Sequence, residues 1–326
     1  MKIGIVISGG DVSGINNFIF QIARLTSAQI TLFNGGIPGL LEKSYQEVAW
    51  RDLVDFSISS IPIITSGRTS RKLQRSEYEI IAKKIKSLRL DVLIMAGGDG
   101  SLQFLNTLSE FDINCFGVGM TIDNDVYGSD YTIGFSTACE QIIKEVSRLR
   151  NTGRALPGRV FMVEILGGYC GELTLQSAIK CNADIALIPE SQIPLEMLTE
   201  RVKQKLAEQN SVVILCSEGY TREYSPGFQG AIDTMIKQLE PRIGVRIRKT
   251  IVGYGLRNGD PTCEEIYQGT IMANEVVRCI QSGMKNKAII INSSNKPIPI
   301  DLVSMKKRLV DTEGHYYKLA KQLNII

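Results

Sequence analysis

Histidine is almost absent from this sequence, and cysteine is present without a pattern. The one histidine, His315, lies near the C-terminus in EGHYYKLAKQ, which has the pattern of an amphipathic closing helix. The seven cysteines are scattered and form no CxxC pair, so buried free thiols are favoured over a disulfide framework or a metal cluster. A general base in this chain is therefore expected to be a carboxylate rather than an imidazole.

A strong net charge and a long apolar run are also missing. The formal net charge of +3 is too small to predict a nucleic-acid or anionic-membrane partner. No apolar stretch approaches the roughly 18–20 residues needed to span a bilayer, and MKIGIVISGG turns to glycine too early for a secretory signal. We therefore expect a cytoplasmic protein. Its 326 residues, 44% hydrophobic and 22% charged, are enough for two domains or one large α/β unit.

Short apolar runs alternate with helical patterns along most of the chain. Several runs are apolar on both faces, which is typical of strands covered by helices on each side. We therefore predict an α/β fold with mostly parallel sheets, and GRALPGR (153–159) is the best candidate for a break between two lobes. The predicted strands are 2–7, 30–34, 91–97, 114–119, 159–166, 184–190, 212–218, 248–254 and 287–292, and the clearest helices are 77–88, 194–209 and 264–280.

Three glycine-containing turns each follow a predicted strand. SGGDVSGINN (8–17) and AGGDGSLQF (96–104) open helices, and GVGMTIDND (117–125) follows the next strand along the chain. Glycine lets backbone N–H groups approach a phosphate, and a helix N-terminus adds a favourable dipole. Because open α/β sheets bind ligands beyond the carboxyl ends of their strands, we expect the three turns to meet at one crevice.

The carboxylates of these turns suit phosphoryl transfer. Asp99 is placed to bind the Mg²⁺ of a nucleotide, although an aspartate there also suits a plain helix N-cap. Asp123 could accept a proton from a substrate hydroxyl, while Asp125 orients that hydroxyl or helps to hold the metal. Thr121 could hydrogen-bond the transferring phosphoryl group. The plainer alternative is a polar turn between a strand and a helix.

Charged side chains near later strands are candidates for binding a phosphorylated acceptor. Arginine suits bidentate phosphate binding, and Arg159, Arg248 and Arg257 lie near strand ends. Each of them would as readily be a solvated surface charge. Glu218 ends VVILCSE, where it would hydrogen-bond a sugar hydroxyl or cap the next helix.

These segments together resemble the 6-phosphofructokinases of the bacterial ATP-dependent type. The likeness covers nearly the whole chain and implies two three-layer αβα lobes with the active site in the cleft between them. Residues 1–138 plus about 252–302 would bind nucleotide, and about 139–251 plus 303–326 would bind sugar phosphate. A homotetramer, or at least a homodimer with shared active sites, is also implied. The likeness rests on SGGDVSGINN, AGGDGS, TIDND followed by GSDYTIGFSTA, EILGGYCGELTL, CSEG and VGYGLRNGDP.

The resemblance implies transfer of a phosphoryl group from ATP, with Mg²⁺, to the 1-hydroxyl of fructose 6-phosphate. Asp123 would be the general base and Asp99 would serve the metal, while Arg159 and Arg248 would reach across a subunit interface to the acceptor's phosphate. Glycine at position 100 goes with ATP, where aspartate goes with pyrophosphate. The implied nucleotide site is Gly10, Arg68, Thr69, Gly98, Asp99, Gly100 and Ser101. The implied acceptor site is Thr121, Asp123, Asp125, Arg159, Leu166, Gly167, Gly168, Glu218, Arg248, Tyr254 and Arg257.

Several positions depart from the family's pattern. Met120 stands where ATP users have glycine and pyrophosphate users have lysine. Gly168 replaces an arginine that would face the transferring phosphoryl group, Tyr254 replaces a histidine and Ile37 a tyrosine, whereas Lys72 is a candidate cation near the donor. Two alternatives therefore stay open. The chain would be a kinase for a different phosphorylated sugar or polyol, or a catalytically weak or inactive relative that senses sugar phosphate or nucleotide.

Overall fold

The chain folds into two compact units, each built on a mostly parallel β-sheet. The computed structural model describes residues 1–42, 44–69, 71–220 and 231–326. The first unit comprises Met1–Thr137 and Arg257–Arg308, and the second comprises Ala138–Leu256 and Leu309–Ile326. The break predicted at 153–159 is wrong, because this segment lies inside the second unit and the boundary falls between Thr137 and Ala138.

Helices and strands alternate through both units, as the apolar pattern predicts. The strands are β1 (Lys2–Ser8), β2 (Gln29–Phe33), β3 (Tyr45–Val48), β4 (Val92–Gly97), β5 (Cys115–Gly119), β6 (Arg159–Ile165), β7 (Ile185–Leu187), β8 (Ser211–Ser217), β9 (Ile247–Ile251), β10 (Lys287–Ile291) and β11 (Pro297–Asp301). The α-helices are α1 (Ile15–Thr26), α2 (Gly36–Leu41), α3 (Arg75–Ser87), α4 (Asp99–Ser109), α5 (Phe135–Ala155), α6 (Glu172–Lys180), α7 (Leu195–Glu208), α8 (Ala231–Ile243), α9 (Cys263–Gln281) and α10 (His315–Gln322). Short 3-10 helices cover Trp50–Phe56, Gly253–Arg257 and Leu302–Ser304.

The sheet of the first unit has the strand order β11-β10-β5-β4-β1-β2-β3. Its five inner strands are parallel, and the two edge strands, β3 and β11, pair antiparallel to their neighbours. All nine predicted strands are present, but these two edge strands were not predicted. The β11 sequence PIPID contains two prolines, which a strand tolerates only at a sheet edge. The β3 sequence YQEV is short and largely exposed, so it lacks an apolar signal.

The sheet of the second unit has the order β7-β8-β6-β9, with all strands parallel. Every residue of β8 is buried, because helices cover a parallel sheet on both faces. The amphipathic closing helix is confirmed as α10, and the exposed His315 is its first residue. No helix among the described residues combines the length and apolarity needed to cross a bilayer.

The cysteines are free thiols, most of them in the core. The prediction of buried thiols is confirmed for five positions, whereas Cys181 is half-buried and Cys263 is exposed. Burial raises the pKa of Cys115 and Cys216 above the ordinary thiol value. Both thiols are therefore protonated at neutral pH and act as small apolar side chains. The buried cysteines are Cys115, Cys139, Cys170, Cys216 and Cys279.

A buried carboxylate holds the start of α5. Glu265, on α9, is 0% exposed. It accepts hydrogen bonds from the backbone N–H of Gly134 (2.6 Å) and from the N–H and the hydroxyl of Thr137 (both 3.1 Å). Burial raises the pKa of Glu265 from 4.5 to about 7, although these hydrogen bonds act in the opposite direction. The carboxyl group therefore titrates near neutral pH.

This shift predicts a pH dependence of stability. Between the unfolded pKa of 4.5 and the folded pKa of about 7, the folded chain holds a proton that the unfolded chain has released. The contribution of Glu265 to the free energy of unfolding therefore falls as pH rises from about 5 to about 8. The fall is on the order of a few kcal/mol. Urea unfolding at pH 5, 6, 7 and 8 should show a steeper loss for the wild type than for Glu265→Gln. Parallel pH profiles of the two proteins would contradict this assignment.

Candidate active site

The parallel register of the first unit brings the three glycine turns to the same edge of its sheet. Ser8 at the end of β1 pairs with Gly97 at the end of β4, and Gly97 pairs with Gly119 at the end of β5. The three turns that follow β1, β4 and β5 therefore begin next to one another at this edge of the sheet. The convergence predicted from the sequence is confirmed, and it follows from the adjacency of β1, β4 and β5.

A cavity of about 910 Å³ lies beyond these strand ends, entirely within the first unit. The three turns line it together with residues of the ranges 68–69 and 71–78, the start of α4 and Lys307. Its wall includes the whole predicted nucleotide site and part of the predicted acceptor site. The predicted residues in the wall are Gly10, Arg68, Thr69, Gly98, Asp99, Gly100, Ser101, Thr121, Asp123, Asp125 and Arg257.

The first turn is held by the segment that carries Arg68 and Thr69. The N–H of Gly9 donates to the carbonyl of Gly67 (3.2 Å), and the hydroxyl of Ser66 donates to the carbonyl of Gly9 (2.9 Å). Gly9 has a φ of 110°, a conformation that favours glycine. These bonds fix the chain just before the two predicted residues.

Arg257 packs on the same turn. Its guanidinium occupies the space that a Cβ on Gly10 would need, and its Nη1 donates to the carbonyl of Asp11 at 3.3 Å. A side chain at position 10 would therefore displace this guanidinium from the turn. Arg257 lines the cavity beside the first turn.

The second turn leads directly into α4. Asp99 is the first residue of that helix and Gly98 occupies the N-cap position, which no side chain caps. The interpretation of Asp99 as a plain N-cap is therefore wrong. A Cβ on Gly98 or on Gly100 would meet no atom within 4 Å. The carboxylate of Asp99 thus lies beside open space at a helix N-terminus.

The carboxylates around the cavity suit a Mg²⁺ ion that arrives with a phosphate. In the described ranges, no group of three or more His, Cys, Asp or Glu side chains could enclose a metal ion. Mg²⁺ commonly uses one or two carboxylates together with substrate phosphates and water. Asp99 in the cavity wall fits that pattern, because a single carboxylate would bind the ion together with the substrate phosphates.

The third turn is shaped by Asn124 and Thr132, which sequence reasoning missed. Asn124 is fully buried, has a φ of 50° and donates to the carbonyl of Asp130 at 3.1 Å. The hydroxyl of Thr132 lies 2.7 Å from the carbonyl of Thr121 and 3.2 Å from Oδ1 of Asn124. The signal that could have identified Asn124 is an asparagine between two acids, since asparagine tolerates the left-handed conformation.

The two acids of this turn have different surroundings. Asp125 is only 4% exposed, and its Oδ2 lies 3.0 Å from Nζ of Lys307. Asp123 is half-buried, and its backbone N–H donates to the hydroxyl of Thr121 at 3.2 Å. Asp125 is thus a paired internal charge, whereas Asp123 is the more exposed acid of the cavity wall.

Lys307 was not anticipated from the sequence. Burial lowers its pKa, but the nearby carboxylates of Asp125, Asp99 and Asp123 have the larger combined effect, so the net pKa is raised. The lysine is therefore positively charged throughout the neutral range. It precedes the last residue of the first unit, far along the chain from the turn that it contacts.

Cations and aromatic rings also line the cavity. Arg71 makes a bidentate pair with Glu77 at 2.8 and 2.7 Å, which lowers the pKa of Glu77 to about 2. Tyr78 stacks between Phe104, with centroids 5.1 Å apart, and Phe111, at 6.0 Å. The wall also includes Ile37, Lys72 and Arg75.

In the second unit, the glycine turn after β6 binds Glu218. The N–H groups of Gly167 and Gly168 donate to Oε1 of Glu218 at 3.1 and 2.7 Å. Both glycines have positive φ values, 154° and 59°, and Leu166 before them is half-buried. Glu218 therefore orders this turn, and the residues 221–230 that follow its segment lie outside the described ranges.

The other predicted acceptor residues of the second unit lie apart from this turn. Arg159 is the first residue of β6, at the end opposite to Gly167. Arg248 lies near the start of β9, where it pairs with Phe161 of β6. Tyr254 is 81% exposed in the 3-10 helix Gly253–Arg257. Arg159 and Arg248 thus lie towards the strand starts of this sheet, whereas the glycine turn follows the end of β6.

Comparison with known proteins identifies the family. The sequence profile described as phosphofructokinase matches residues 2–280. The chain belongs to the phosphofructokinase family. It is a phosphofructokinase-like phosphotransferase, as the motifs of the three turns and their convergence predict.

Relatives of this phosphofructokinase chain are named either as ATP-dependent or as pyrophosphate-dependent enzymes. It is 33% identical to the probable ATP-dependent 6-phosphofructokinase of Mycoplasma pneumoniae, over 92% of this chain and 90% of that protein. It is 31% identical to the ATP-dependent 6-phosphofructokinase of Clostridioides difficile, over 99% of both. It is also 29% identical to the pyrophosphate–fructose 6-phosphate 1-phosphotransferase of Thermoproteus tenax, over 98% and 97%.

A solved structure confirms the phosphofructokinase fold. The crystal structure of Pichia pastoris phosphofructokinase in the T-state matches with a TM-score of 0.84 and 24% identity. The match covers 98% of this chain and 38% of the yeast chain. The α/β architecture with mostly parallel sheets is therefore that of a phosphofructokinase.

Proposed function

We propose that this chain transfers the γ-phosphoryl group of ATP, carried with Mg²⁺, to the 1-hydroxyl of fructose 6-phosphate in the cytoplasm. The observation that carries the proposal is the presence of Asp99 and Asp123 in one cavity wall, beyond adjacent parallel strands. One acid is then available for the metal-bound donor and another for the acceptor hydroxyl. Phosphoryl transfer needs both reactants oriented in line.

Asp123 is the general base of the proposed reaction. It accepts the proton of the 1-hydroxyl as the oxygen attacks the γ-phosphorus. A bond forms between that oxygen and phosphorus, and the bond from phosphorus to the bridging oxygen breaks. ADP leaves with the electron pair of the broken bond. Bound Mg²⁺ would neutralise charge on the phosphates, with Asp99 as its protein ligand.

Two features favour ATP as the donor over pyrophosphate. The first is glycine at position 100, which in the family's pattern goes with ATP where aspartate goes with pyrophosphate. A Cβ at this position would meet no atom within 4 Å. The second is the presence of the rings of Tyr78, Phe104 and Phe111 in the same cavity wall. Aromatic side chains near the glycine turns suit a nucleotide base, and pyrophosphate has no group to place against them.

The acceptor's phosphate is assigned to residues of a neighbouring subunit. Arg159 and Arg248 lie at or near the starts of neighbouring parallel strands, whereas Gly168 and Glu218 follow strand ends. That separation supports the proposal that the two arginines serve another copy of the chain. The assembly would then be a homotetramer, or at least a homodimer, with shared active sites.

The activity is tested with purified protein, Mg²⁺ and fructose 6-phosphate, and with either ATP or pyrophosphate as donor. We expect fructose 1,6-bisphosphate, identified by mass and by cleavage with aldolase, and faster turnover with ATP. Faster turnover with pyrophosphate would overturn the donor assignment.

A panel of phosphorylated sugars and polyols tests the acceptor, because exposed Tyr254 and the absence of a side chain at Gly168 favour a changed acceptor site. Ligand binding without turnover would indicate a sensor.

A further inference from the structure

Phosphoryl transfer at this site needs a positive charge close to the acceptor acid. Negative charge develops on the oxygens of the transferred group, and cations placed there stabilise the transition state. Met120, which borders the cavity beside Thr121, is 1% exposed and uncharged. The charge must therefore come from another residue of the wall.

The cations of the described cavity wall differ in what they contact. Arg71 is engaged by Glu77, and Arg257 packs on the first glycine turn. Arg68 follows the segment that holds the first turn, and Lys72 and Arg75 also line the cavity. Lys307 makes an ion pair with Asp125, an acid of the third turn.

The backbone around Lys307 is anchored to the third turn on both sides. The N–H of Tyr127 donates to the carbonyl of Lys306 at 2.9 Å, and the N–H of Arg308 donates to the carbonyl of Asp125 at 2.8 Å. Arg308 also donates from Nε to the carbonyl of Asn124 at 3.1 Å. These bonds direct the side chain of Lys307 towards the cavity and those of its neighbours elsewhere.

We propose that Lys307 supplies the cation that binds the transferred phosphoryl group. This inference rests on the proposed phosphotransferase function. Before the donor binds, Nζ of Lys307 lies against Asp125. When the phosphates enter, the flexible side chain contacts an oxygen of the γ-phosphoryl group as the bond from the acceptor oxygen to phosphorus forms. Lys307 remains an ammonium throughout, and the hydroxyl proton still passes to Asp123.

The test compares Lys307→Met, which removes the charge and keeps the length, with Lys307→Arg, which keeps the charge. Lys306→Ala is the matched control, because Lys306 is exposed, lies over the ring of Tyr127 and is absent from the cavity wall. We expect Lys307→Met to lower kcat by about 10²- to 10³-fold with small changes in KM. Lys307→Arg should recover part of that loss, and Lys306→Ala should match the wild type.

A binding measurement separates this inference from the proposed function. Affinity for Mg·ADP is measured with and without aluminium fluoride, a mimic of the transferred group, in the presence of fructose 6-phosphate. We expect Lys307→Met to remove most of the extra affinity that aluminium fluoride adds, with Mg·ADP affinity unchanged. If Lys307→Met loses this extra affinity but the wild type shows no turnover, the proposed function is overturned while the role of Lys307 in binding the transferred group is supported. An equal gain from aluminium fluoride in both proteins, or a kcat for Lys307→Met within threefold of the wild type, would overturn the assignment.

Discussion

Replacing Asp123 with asparagine is expected to lower kcat by about 10²- to 10⁴-fold, the usual contribution of a positioned general base. Asparagine has nearly the same shape, but its amide cannot accept the proton of the sugar hydroxyl. The turn itself should survive, because buried Asn124 and Thr132 hold its backbone. KM values for both substrates should change by a few-fold at most, since the residue acts mainly in the transition state.

Asp112→Asn is the matched control for this variant. The side chain of Asp112 is 95% exposed and lies outside the cavity wall. Its φ of 59° suits asparagine, so the same chemical change is made without touching the site. Steady-state kinetics and thermal unfolding of both variants complete the comparison. A kcat for Asp123→Asn above one tenth of the wild-type value would rule out Asp123 as the base.

Gly100→Asp is expected to raise the KM for ATP by about 10- to 100-fold. A second carboxylate next to Asp99 would repel the phosphates of the donor, and each tenfold change corresponds to about 1.4 kcal/mol. The fold should not suffer, because a Cβ at this position meets no atom within 4 Å. An acid in the first turn of a helix is also favourable for the helix itself.

Gly100→Ala separates charge from bulk in this experiment. The alanine methyl group enters the same open space, and alanine favours a helix more than glycine does. We expect a KM for ATP close to the wild-type value and an unchanged or slightly higher thermal midpoint. Equal effects of alanine and aspartate would show that space rather than charge limits donor binding at α4.

Local patterns were sufficient to predict much of this protein. All nine predicted strands are present, and most of their apolar runs are buried on both faces, as in β8. The exception is β9, which has alternating exposure. The meeting of the three glycine turns was predictable because parallel strands present their carboxyl ends at one edge. Asp99 and Asp123 could be selected because each lies in a glycine-containing turn after a predicted strand, where open α/β sheets bind ligands.

Other features left no local trace in the sequence. The edge strand β11 contains two prolines and was not predicted as a strand. The unit boundary lies in the first turn of α5, within a continuous helix, so no change in composition marks it. Asn124 has only a weak local signal, because its role depends on a hydrogen bond to the carbonyl of Asp130 that exists only in the folded turn.

The sequence by itself determined the α/β class, the three glycine turns at strand ends and the two acids that the proposed chemistry uses. These follow from periodicity and from residue types that act within a few positions of each other. Only the tertiary structure decided that Asp125 pairs with Lys307. Lys307 reaches Asp125 because the chain re-enters the first unit at Arg257 and, after β10 and β11, residues 306 and 308 hydrogen-bond to the segment 125–127. Pairings between positions so distant in the chain depend on the folded backbone, which no local pattern encodes.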